Sequence, residues 1–175
     1  KITTTLDRKN CTDNDLFFAA TEKLHQIEPT AKSAYLMGKM LNDKHEYKEA
    51  AKYLEEAVSK FEDNDSKAKA SYMLALCLMN SGQLSAARTA AYQVGQYDKT
   101  LEGRAVLLVA NMYLKSVSSC ASHEGKIRGA AWVAYDEAAR AKALDPSIAA
   151  DAQKVMNAAH SQWPSKEDMF FNSIN

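Results

Sequence analysis

The sequence predicts an all-α chain built from antiparallel helix hairpins. Three observations carry this expectation. The 175 residues include 29 Ala but only 6 Gly and 3 Pro, so the best helix former is abundant and the breakers are scarce. Small residues recur along the chain at intervals of 12 and then 7. Polar turn clusters (NDKHEY, FEDNDS and NSGQ) fall between the apolar stretches at the matching places.

Taken in order, residues 1–12 open with KITTTLDRKN, which is polar, lacks a helical period and reads as a linker or frayed end. Lys1 is no initiator Met and no leader follows it, so the chain reads as matured or cut from something longer. Residues 13–30 include DLFFAATEKLHQIEPT, a half copy closed by Pro29. A full copy follows over 31–64: Gly38, Ala50 twelve residues later and Ala57 seven after that. Its helices show apolar faces at helical spacing, Leu36, Met37, Met40 and Leu41 on one, Tyr53, Leu54, Ala57 and Val58 on the other. The next copy, 68–101, places Ala75, Ala87 and Val94 at the same intervals, once Asp65 to Lys67 are set between the copies. A third, 103–146, uses Ala110, Ala134 and Ala141. The 24 residues from Ala110 to Ala134 imply a polar insert near 117–128. Residues 147–175 read as a capping helix and tail. Asp145 is its N-cap, Pro146 its first residue, and Ile148, Ala152, Val155, Met156 and Ala159 its apolar face. Ser165 and Asp168 resemble a capping box ahead of Phe170 and Phe171. A hairpin of this kind cannot cover both its apolar faces, so copies must stack.

This period and these small positions resemble the tetratricopeptide repeat, over residues 15 to 146. The resemblance implies a right-handed superhelix of antiparallel hairpins closed by a C-terminal capping helix. The fourth place of each copy, where that family often has Trp, holds Ala34, Ser71 and Val106 instead. The strings AAWVAYDEAARAKALDPS and WPSKEDMFF further resemble exported tetratricopeptide proteins of Bacteroidetes-type bacteria. That likeness implies an exported, periplasmic or outer-membrane-associated protein, with a cytoplasmic location left open. It also makes Cys11 and Cys120 candidates for bridges to residues outside this chain.

The composition removes several function classes. Lys plus Arg and Asp plus Glu number 22 each, so the formal charge is zero and no basic excess marks a nucleic-acid binder. No apolar run approaches the roughly 18 residues of a membrane span. Three cysteines match no zinc spacing. Cys77, inside LALCLM, reads as a small buried hydrophobe. Cys11 and Cys120 lie in polar segments, where they are free, paired with each other, or paired elsewhere. Cys120 and His123 form a lone C-x-x-H, half of a metal site at most. His25, His45 and His160 join no metal pattern, and no phosphate-cradling glycine loop is present. Ser119 with His123 and Asp136 with Asp145 lack a third orienting group. No enzyme activity, cofactor or metal is therefore expected.

What remains is the concave face that the resemblance implies, lined by the first helix of each copy. The candidate binding residues are Lys32, Tyr35, Lys39 and Asn42, then Lys69, Tyr72 and Leu76, then Arg104, Asn111 and Lys115. Five of these are cations on a neutral chain, and the two Tyr offer flat contact area with a hydroxyl each. The expected partner is a protein or peptide segment of acidic character, with the oligomeric state left open. The family's chaperone-type carboxylate clamp maps onto Tyr35, Lys39, Met73, Arg104 and Leu108, of which only Arg104 has the required charge. The competing expectation is a structural spacer or oligomerisation segment of a larger exported repeat protein.

Overall fold

The computed structural model describes residues 15–117 and 129–163. Among the described residues there are eight α-helices and no strand. They are α1 (Asp15–Ile27), α2 (Ala31–Asp43), α3 (Tyr47–Lys60), α4 (Asn64–Asn80), α5 (Leu84–Tyr97), α6 (Glu102–Ser116), α7 (Gly129–Leu144) and α8 (Ala149–His160). Short 3-10 turns, Lys99–Leu101 and Pro146–Ile148, lead into α6 and α8. The chain divides into two compact units, Lys1–Tyr97 and Asp98–Asn175.

The first unit holds α1 and two hairpins, α2–α3 and α4–α5. The hairpins are copies down to their turn hydrogen bonds. Glu46 N–H donates to Leu41 O at 2.8 Å, and Gln83 N–H donates to Leu78 O at 2.9 Å. Lys44 N–H reaches Met40 O at 3.1 Å, and Ser81 N–H reaches Cys77 O at 2.9 Å. Both turns need one residue in the left-handed region. Gly82 supplies it at φ 83°, as glycine does freely, while His45 supplies it at φ 62°. For a residue with a Cβ that conformation costs about 1 kcal/mol. The His45 ring nitrogen Nδ1 lies 2.8 Å from the Tyr47 hydroxyl, a local tether for the strained residue.

The recurring small residues lie where the helices cross. Gly38 is buried, and a Cβ built on it would lie 2.5 Å from Leu54 Cγ and 3.2 Å from Ala50 O. Ala50, Ala57, Ala75, Ala87 and Val94 are fully buried. Ala34, Ala57 and Ala70 form one cluster joining α2, α3 and α4, with Tyr35, Val58 and Phe61 packed on its flank. Val94 replaces a small residue at its position, and Ala90 and Ala91 on the same helix are buried beside it in sequence. Cys77 is in the core, as expected, and burial pushes its thiol up to about 11.

The half copy α1 is tied on by polar contacts as well as by the fully buried Phe17. Thr30 caps α2 in a reciprocal box with Ser33. His25 Nδ1 lies 3.0 Å from Ser33 Oγ, and the His25 ring meets Tyr53 of α3 edge-on at 5.2 Å. His25 Nε2 is 3.7 Å from Glu56, whose other oxygen receives Lys60 Nζ at 2.7 Å. Lys60 also donates to Pro29 O at 2.7 Å, so one polar chain links α3 to the segment before α2.

One sequence expectation is corrected here. Asp65 to Lys67 are not a spacer between copies; they form the first turn of α4, which begins at Asn64. The reason is local: Asp63 is in extended conformation and accepts a hydrogen bond from Ser66 N–H at 2.7 Å, so the helix starts a turn early.

In the second unit, α6 pairs with α7 and α8 covers that hairpin. Ala110, Ala134 and Ala141 are fully buried, and Ala110, Ala138 and Val155 form a core cluster with Leu107, Leu114 and Met156 against it. Asp98 and Asp145 start their 3-10 turns by the same device. Each Oδ1 accepts from the N–H two residues on, Thr100 at 2.8 Å and Ser147 at 3.0 Å, and from that residue's hydroxyl. Asp145 caps this 3-10 turn, and α8 proper begins at Ala149. Of the expected cap face, Ala152, Val155 and Ala159 are buried, and Ile148 and Met156 are half-buried. The insert beyond 117, Cys11, Cys120, His123, and the Ser165–Phe171 segment lie outside the described residues.

Two predictions follow from these environments. The hydroxyl of Ser71, at the place where the repeat family often carries Trp, is buried with no hydrogen-bond partner. Ser71→Ala should therefore raise the unfolding free energy by about 1 kcal/mol in urea denaturation. A loss of stability would mean that the hydroxyl is satisfied. The Ser147 hydroxyl, the Ser147 N–H and Arg104 hold the Asp145 carboxyl below the usual carboxylate range. A lowered folded pKa gives stability that is present at neutral pH and lost as pH falls through that lowered value. Asp145→Ala should thus lower Tm at pH 7, with the gap to wild type closing in acid. A gap independent of pH would contradict the charge contribution.

Candidate functional site: the first-helix surface

The ten expected binding residues divide between the two units. Lys32, Tyr35, Lys39 and Asn42 are on α2, and Lys69, Tyr72 and Leu76 are on α4. Arg104, Asn111 and Lys115 are on α6, in the second unit.

The structure gathers part of the first set into one place. Lys32, Tyr35 and Lys69 line a cavity of about 170 Å3 together with Phe61, Asp65 and Ser66. Phe61 lies just past the end of α3, where it meets the Tyr35 ring edge-on at 6.2 Å. The Lys32 ammonium lies over the Tyr35 ring, 5.6 Å from its centroid. Lys69 Nζ is 2.6 Å from Asp65 Oδ2, one helical turn earlier. That contact, the largest influence on Lys69, holds its ammonium above the usual lysine range. Both side chains are more than half exposed, at 58% and 65%. Such a pair contributes at most about 1 kcal/mol and is readily exchanged.

The other candidates have structural attachments of their own. Asn42 Oδ1 accepts from the Cys77 thiol at 3.4 Å, so it is tied to the core of the neighbouring copy. Tyr72 and Leu76 are half-buried on α4. Arg104 Nε is 3.8 Å from Asp145, and Asn111 Nδ2 donates to Leu107 O at 2.9 Å. Lys115 is exposed near the end of α6. The basic bias expected of this face is thus partly balanced inside the chain, by Asp65 at Lys69 and by Asp145 at Arg104.

Phe61, Asp65 and Ser66 were not among the expected residues. The last two follow from the corrected start of α4, and the Asp-x-x-Ser signal for it stands in the sequence at 63–66. Phe61 gives no comparable signal, because its role depends on a contact with Tyr35 made only after folding.

A second concavity in the first unit has different chemistry. It is a groove of about 440 Å3, floored by Leu74 and Leu78 of α4 and flanked by Val58 of α3 and Ala86 and Ala90 of α5. Among the described residues, no group of three or more His, Cys, Asp and Glu could hold a metal ion. No helix among them is long and apolar enough to cross a membrane.

The chain has no significant match among curated proteins. Residues 41–109, from the end of α2 to the middle of α6, match the family model of the tetratricopeptide repeat, and it is this family that the stacked hairpins resemble in both packing and sequence.

Proposed function

We propose that the chain is a non-catalytic tetratricopeptide-like module that holds a protein or peptide segment against the first helices of its copies. The observation that carries the reading is the Lys32–Tyr35–Phe61–Lys69 corner. It is a site with two lysines beside two aromatic rings, open to solvent, formed by α2, α4 and the residue that ends α3. Aromatic area supplies contact at low entropic cost, and the ammonium groups supply charge selectivity. Tetratricopeptide domains generally bind protein partners, and the family match over 41–109 supports that role for this chain. An exported location belongs to the same proposal and rests on the resemblance of the C-terminal strings alone.

A second reading, a spacer or self-assembling segment, is favoured by a different observation. Leu16 and Ile27 of α1 are 66% and 81% exposed, an apolar surface suited to a further repeat or a second copy. One experiment separates the two. Immobilised wild-type protein and a Lys39→Glu, Lys69→Glu, Arg104→Glu variant are each exposed to bacterial envelope extract, after light scattering on both. Partners held by wild type and lost by the variant are the expected result. Identical partners on both proteins contradict the first-helix surface, and a concentration-dependent mass with no captured partner favours self-assembly.

A further inference from the structure

The inference rests on the proposed peptide-binding role and makes it specific. We propose that the cavity between α2 and the first turn of α4 is a socket for one acidic side chain of a bound segment, and that Asp65 is a tethered carboxylate competing for the same ammonium.

Four features of the cavity support this. Its cations, Lys32 and Lys69, come from successive copies and face one cavity, so an anion seated there is attracted by both. Lys69 already holds a carboxylate at 2.6 Å, that of Asp65, which lines the same cavity. Tyr35 and Phe61 form a wall at 6.2 Å between ring centroids, against which the methylene stem of a Glu can lie. The volume, about 170 Å3, is less than half that of the 440 Å3 groove on the same unit and suits a single side chain.

Asp65 sets the threshold for entry. It is bound through an exposed i, i+4 pair, which an incoming carboxylate can replace at little cost. Asp63, the other nearby carboxylate that influences Lys69, is engaged in capping Ser66 N–H and is part of the helix start. The competitor is therefore Asp65 alone of the two. Its removal should strengthen binding, whereas a purely structural pair would give no gain.

The test uses two labelled probes, a short acetylated and amidated peptide alternating Glu and Leu, and the same peptide with every Glu replaced by Gln. Affinity is read by fluorescence anisotropy, and the site by amide shifts in 1H–15N NMR spectra, on wild type, Asp65→Asn and Lys69→Ala. Thermal melts establish that both variants are folded. The expected result is preference for the Glu peptide, with shifts at Tyr35, Phe61 and Lys69. Binding should be about threefold or more tighter to Asp65→Asn and weaker by a similar factor to Lys69→Ala. Equal binding of both peptides at the first helices would overturn the socket and leave the peptide-binding role standing. Unchanged or weaker affinity of Asp65→Asn would also overturn the socket. Absence of any shift on α2, α4 or α6 with either peptide would overturn both.

Discussion

The close approach of helices at small residues is the constraint on which the rest of this structure depends. Gly38 lies so near Leu54 and Ala50 that even a methyl group would collide with them. Ala75 and Ala110, at the equivalent place in later copies, are fully buried, as are Ala50, Ala87 and Ala134 on the partner helices. When helices approach this closely, dispersion contacts accumulate over the whole crossing. Larger side chains fill the space beside the small ones, as Leu54 of α3 does directly over Gly38 of α2. Leu36 and Leu54 are fully buried in the first unit, and Val106, Val109 and Met112 are nearly or fully buried in the second.

The constraint also explains how a surface is left for binding. A hairpin that closes through its small face must place its long polar residues elsewhere, and on α2 and α4 these include Lys32, Tyr35 and Lys69. Capping residues set the register. Thr30, Asp63, Asp98 and Asp145 each accept a backbone N–H two or three residues on, and each stands at the start of a helical element. Thr30, Asp63 and Asp98 mark where a copy begins, and Asp145 marks where the capping segment begins. Moving the start of α4 by one turn brings Asp65 into reach of Lys69.

The legible part of this fold was the part dictated by spacing. Every position inferred from the repeat spacing is buried, and all but Val94 are Gly or Ala, because little room is left where two helices meet closely. The turn at His45 was legible as a turn but not in its conformation, since no glycine marks it as Gly82 marks the next. The start of α4 does not follow from the repeat spacing, because core positions are indifferent to an extra turn at a helix end. The binding surface was legible only in outline. Lys32, Tyr35 and Lys69 could be placed by register, whereas Phe61 enters through tertiary packing, Asp65 through the extra first turn of α4, and the partner of Arg104 through a charge on another segment.

The most direct measurement of the central claim compares two alanines on one helix. Ala141 of α7 is fully buried at the third small position, and Ala143, two residues on, is exposed. Urea denaturation of Ala141→Leu and Ala143→Leu separates the demand for smallness from helix propensity, which is the same for both. The crossing requires Ala141→Leu to cost about 1–3 kcal/mol or more, and Ala143→Leu to stay within about 0.5 kcal/mol of wild type. Equal effects at the two positions would contradict the account.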